Sequence, residues 1–161
     1  MPNSNPERPV STDTTEVVPE HPEHSDTPDQ EDSNDIVHEG SCHCGKVKWV
    51  MRAPRVLQCV RCNCSICKKK SLIHYIVKRE KFTLVQGGDK LKTYTFNTGV
   101  AQHRFCKKCG VQSFYIPRSN PNSISVMPNC IDSNTVDSIE LSDFEGQNWD
   151  EAIKLNPPSS N

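Results

Sequence analysis

The run RCNCSICKKK, from Arg61 to Lys70, sets three thiols at a spacing that suits one metal ion, and nothing else in the chain restricts the fold as much. Cys62 and Cys64 are two apart, so on an extended segment both side chains leave from the same face. Cys67 follows three later, and a backbone turn at Ser65-Ile66 swings its sulfur back to the same point. Three soft thiolates then surround a zinc-sized centre and leave its fourth position open. A second set, Cys42-x-Cys44 with Cys106-x-x-Cys109, could supply four thiolates and close a tetrahedral site. The expectation is two zinc ions per chain, one structural and one open.

Nine cysteines in CxC and CxxC clusters, an odd number, point to metal ligands rather than a disulfide framework. The start MPNSNPERPV lacks the basic and apolar regions of a secretory signal, and no apolar run reaches membrane-spanning length. An intracellular protein, cytoplasmic or nuclear and without a membrane partner, is expected.

Charge is distributed unevenly. Residues 1–37 carry ten acids against Arg8 alone, six prolines and almost no large apolar side chains, giving a net charge of −9. Such a composition cannot offset chain entropy by burial, so 1–37 is expected to be a disordered acidic tail. Residues 38–161 carry +8, and the folded zinc-binding domain is expected over 38–155, with 156–161 a flexible C-terminus. A basic domain behind an acidic tail can meet phosphate-bearing partners, which keeps nucleic acid or microtubules open as partners. Metal thiolates would offset part of that charge.

Along the chain, Gly40 and Gly45 flank the Cys42-x-Cys44 pair, and Val47, Trp49 and Met51 alternate with Lys46 and Lys48 as a half-buried strand stopped by Pro54. Val56-Leu57 leads into the central cysteines, and the lysines after Cys67 continue a helical turn. Strands are expected over 72–77, 81–85, 91–96, 101–105, 111–116 and 123–127, with turn signals between them. That rhythm belongs to an antiparallel, mainly β domain. Asn148 and Glu151 form a capping pair, so a short helix is expected from Trp149 to about Leu155, before Pro157-Pro158.

Spacing alone leaves the partnership of the clusters open. A zinc-ribbon reading pairs Cys64-x-x-Cys67 with Cys106-x-x-Cys109 and leaves Cys42, Cys44, Cys59 and Cys62 over. Cys59-x-x-Cys62 also mimics a metal-binding pair, and Cys59 as fourth ligand would close the central site. Cys130 stands alone as a packed thiol. His43, between two candidate ligands, points away from their metal; His74 and His103 are either structural or proton carriers at the open site.

In order and content, GSCHCG, CNCSICKKK and FCKKCG resemble the glutathione-dependent formaldehyde-activating enzyme family. TYTFNTGVAQH, FCKKCGVQSFYIPRSNP and DFEGQNW look like that family's centromere protein V branch. The resemblance implies a β-tent, an assembly of twisted antiparallel β-sheets. It implies a structural zinc on Cys42, Cys44, Cys106 and Cys109, and a catalytic zinc on Cys62, Cys64 and Cys67. It also implies carbon-sulfur lyase or synthase chemistry on a glutathione–formaldehyde adduct, S-hydroxymethylglutathione, or a related thiol conjugate. The centromere branch implies an alternative, a non-catalytic zinc-stabilised module that binds chromatin or cytoskeleton. If glutathione binds, its two carboxylates need cations, and Arg104 or Lys68 are candidates.

Overall fold

The first strand of the computed structural model, β1 (Ile36–Ser41), pairs antiparallel with β2 (Lys48–Ala53), and the alternation read in the sequence is the reason. Val47, Trp49, Met51 and Ala53 are all buried, while Lys46, Lys48 and Arg52 face solvent. Residues 34–155 are described. The acidic tail falls on residues 1–33 almost entirely and lies, with 156–161, outside the described residues. The strand β1 begins at Ile36, so the last two positions counted with the tail belong to a sheet.

After β2 come β3 (Val56–Cys62) and a six-residue helix, α1 (Ser65–Lys70), closed by Ser71 in the left-handed conformation. Then follow β4 (Ile73–Lys78), β5 (Phe82–Gln86), β6 (Leu91–Tyr94) and β7 (His103–Cys106). The chain continues through β8 (Phe114–Tyr115), β9 (Ser123–Val126), β10 (Ser138–Phe144) and the terminal helix α2 (Trp149–Leu155). Both the helical turn after Cys67 and the helix at Trp149 lie where the sequence placed them.

Among the described residues three separate sheets result, and none closes into a barrel. They are β1-β2-β5, the five-stranded β10-β3-β4-β9-β8, and the pair β6-β7. The fold is mainly β, with antiparallel pairing in every ladder but one: β10 runs parallel to β3 from Ser138 against Val56 to Phe144 against Cys62. The sequence reading contained no strand there. Most of β10 is exposed, so it lacks the buried face that makes a strand readable.

The main core gathers Trp49, Met51, Leu57, Tyr75, Phe114 and Val126 between the sheets, with Phe82 bridging Trp49 and Phe114 at ring distances of 5.8 and 5.0 Å. Cys59 belongs to this core and is 1% exposed. A second cluster, Cys67, Leu72, Tyr115 and Met127, lies beneath the central cysteines. No helix among the described residues is long and apolar enough to cross a membrane.

Candidate metal centres and the cleft beside them

Two loops of similar construction carry the four outer cysteines. Between β1 and β2, the Cys42 amide donates to the Val47 carbonyl at 3.0 Å; at the end of β7, the Cys106 amide donates to the Val111 carbonyl at the same distance. Each loop reverses through a glycine with positive φ, Gly45 at 71° and Gly110 at 75°, a conformation that side-chain-bearing residues rarely adopt. The tight turns bring Cys42, Cys44, Cys106 and Cys109 together, with all four sulfurs within 4.8 Å of one another. Cys44 Sγ lies 3.6 Å from both Cys42 Sγ and Cys106 Sγ. Thiolates on a tetrahedral zinc with bonds of about 2.3 Å stand about 3.8 Å apart, so this cluster fits such an ion.

Amides aimed at these sulfurs favour their ionised forms. Burial opposes ionisation at Cys109, yet the amides of Val111 and Cys44 and the neighbouring thiols bring it down to about 6. At Cys44 the Lys46 amide pulls downward, but burial and the adjoining sulfurs of Cys106, Cys42 and Cys109 hold it up at about 11. Four thiols this close cannot all ionise without a cation among them.

The central trio is built differently. Cys62 ends β3, Cys64 precedes α1 and Cys67 lies on the buried side of α1. Their sulfurs also lie within 4.8 Å of one another. Hydrogen bonds from the Cys62 and Cys67 thiols draw Cys64 down to about 2, the contact with Cys64 pushes Cys62 up, and the contacts with Cys62 and Cys64 push Cys67 up. A divalent ion is what allows all three to become thiolates. Cys59 does not join them. Its thiol lies in the apolar core, where burial raises it to about 12, and its carbonyl accepts from Ser142 Oγ at 3.3 Å.

Gly146 closes one side of the trio. A Cβ at this position would stand 2.3 Å from Cys62 Sγ and 2.9 Å from Cys64 Cβ, so any larger residue would force the sulfur or the turn to move. β10 delivers it: the parallel register sets Phe144 beside Cys62, and the 3₁₀ turn Gly146–Asn148 follows.

The two clusters differ in access. The trio lines a cleft of about 970 Å³, whereas none of the four outer cysteines does. One wall is aromatic, with His103 stacked on Tyr115 at 4.9 Å and 8° and with His74 5.4 Å from Tyr115. His74 Nδ1 is 3.2 Å from Ser125 Oγ, and neither His74 Nε2 nor His103 Nδ1 has a hydrogen-bond partner among the described residues. Burial lowers His74 to about 4 and lowers His103 as well, so both are neutral at pH 7. His43 is exposed, and Cys130 is partly buried beside the outer cluster without entering it.

The candidate cations lie elsewhere than expected. Neither Arg104 nor Lys68 lines the cleft; Arg118 does, and sequence reasoning missed it. Its guanidinium carbon lies 3.3 Å from the centre of the Trp149 ring. Trp149 was readable as the start of a helix, but its role as a cleft wall depends on tertiary placement.

The profile of the family described as "Glutathione-dependent formaldehyde-activating enzyme" matches residues 37–144, which span both cysteine clusters. The chain belongs to that family. Among solved structures, a crystal structure of a Rhodobacter sphaeroides protein is similar to it, with a TM-score of 0.54 and 27% sequence identity. The similarity covers 63% of this chain and 99% of that one. Gly146, Trp149 and Asp150, all of which line the cleft, lie beyond the family match.

Proposed function

We propose that the chain is a zinc-dependent carbon-sulfur lyase or synthase acting on S-hydroxymethylglutathione, the adduct of glutathione and formaldehyde, or on a related thiol conjugate. The observation that carries the reading is the contrast in access: a four-sulfur cluster away from the cleft and a three-sulfur cluster opening onto it. In this reading Cys42, Cys44, Cys106 and Cys109 hold a structural zinc, and Cys62, Cys64 and Cys67 hold a catalytic one.

Zinc at the trio supplies Lewis acidity that keeps a substrate thiol ionised near neutral pH. The protein's own task is placement. Cys62, Cys64 and Cys67 would hold the ion, Gly146 closes one flank of the trio, and the cleft would admit an incoming sulfur. No side chain acts as nucleophile, because the substrate brings its own. In synthesis a bond forms between that sulfur and the aldehyde carbon, the carbonyl π pair moves to oxygen, and the proton that left the thiol ends on that oxygen. Cleavage is the reverse. His74 and His103, neutral and largely dry, line the space for the small aldehyde.

Turnover of S-hydroxymethylglutathione by the zinc-loaded protein, compared with Cys64→Ser, tests this. The variant is expected to lose the central zinc and at least about a hundredfold in rate while keeping the outer zinc. An active Cys64→Ser protein without its central metal contradicts the mechanism. Thiolate ligation also suits a reducing compartment, cytoplasmic or nuclear.

The +8 charge of residues 38–161 is what favours a second reading, the non-catalytic chromatin- or cytoskeleton-binding module of the centromere protein V type, and the −9 charge of the residues before them weighs against it. Binding to DNA or microtubules that weakens steeply with salt would favour it.

A further inference from the structure

Arg118 is a permanent cation with 22% of its side chain exposed, and among the described residues its nearest carboxylate is a poor partner. Asp150 Oδ1 lies 3.8 Å from the Arg118 Nη2 nitrogen and is itself 90% exposed. That contact is long for an ion pair and is shared with solvent at Asp150, so it leaves room for a second anion. Trp149 covers one face of it at 3.3 Å, which fixes the plane of the group and leaves its edge donors free to meet a planar acceptor. All three residues line the cleft that holds the cysteine trio.

The spacing suits a short thiol peptide. Gly146 touches Cys62, and Trp149 follows three residues later through a 3₁₀ turn, a rise of about 6 Å at roughly 2 Å per residue. An extended peptide covers about 3.3–3.6 Å per residue. A carboxylate one or two residues from its sulfur thus spans a length comparable with that run of chain.

We propose that Arg118, clamped by Trp149, is the specificity residue of this site and holds a carboxylate of the thiol substrate in a bidentate pair, displacing Asp150. The proposal rests on the reading above and assigns the end of the substrate that does not react. It selects thiols that carry a carboxylate one or two peptide units from sulfur over neutral or aminated thiols of similar size.

Calorimetric titration of the zinc-loaded full chain with glutathione, glutathione diethyl ester and S-methylglutathione separates the two ideas, because the ester lacks the carboxylates and the thioether lacks the ionisable sulfur. Wild-type protein is expected to bind glutathione at least tenfold more tightly than the diester. Arg118→Gln is expected to erase that difference with two zinc ions per chain retained, and Arg118→Lys to keep only part of it. Equal affinity of wild type for glutathione and its diester, or an Arg118→Gln protein that still prefers glutathione, overturns the anchor. If S-methylglutathione binds as tightly as glutathione while Arg118→Gln weakens both, the anchor stands and the open-zinc reading fails. No binding of any of the three overturns both.

Discussion

At the scale of single residues, Cys62, Cys64 and Cys67 were legible because ligand chemistry repeats at short spacings, and the structure brings the three sulfurs within 4.8 Å. Cys59 shows where spacing misleads. It stands in a CxxC register with Cys62, yet it faces the apolar core, a distinction that depends on which face of β3 is buried. Gly146 was invisible as a site residue, since its requirement is a steric contact with a side chain more than eighty positions earlier. Gly146→Ala should therefore act on the central site alone. With a Cβ 2.3 Å from Cys62 Sγ, either the sulfur or the turn must move, and we expect about 1–3 kcal/mol of lost stability and faster loss of one zinc of two under chelator. Zinc release followed with a chromogenic chelator checks this; wild-type retention at both sites would show that the contact relaxes harmlessly.

At the scale of elements, β2 could be read from its alternation because one face is buried, and α2 from its capping pair. β10 could not, because a strand with little buried surface owes its place to the parallel ladder with β3. The loops Cys42–Val47 and Cys106–Val111 are the elements on which stability should depend most. They join the β1-β2-β5 sheet to the β6-β7 pair through four sulfurs, and metal binding to such loops contributes directly to folding. Cys106→Ser should cost several kcal/mol or prevent folding, whereas Cys64→Ser should change stability by no more than about 1–2 kcal/mol. Denaturant melts of the two variants decide it, and equal destabilisation would mean that both clusters brace the fold alike.

For the molecule as a whole, sequence and structure agree on a mainly β architecture with two cysteine clusters able to hold metal, and the structure adds that one of them lines a cleft. The cleft itself could not be read, since its walls come from β3, β4, the segment after β6 and the residues following β10, placed together only by the fold. The central claim is that the ion at the trio keeps a corner for an exogenous sulfur, and zinc K-edge X-ray absorption on the fully loaded chain tests it most directly. Before any thiol is added, one closed and one open site should average about 3.5 sulfurs per zinc, rising to about 4 with glutathione. A value of 4 before glutathione, unchanged afterwards, would contradict the account.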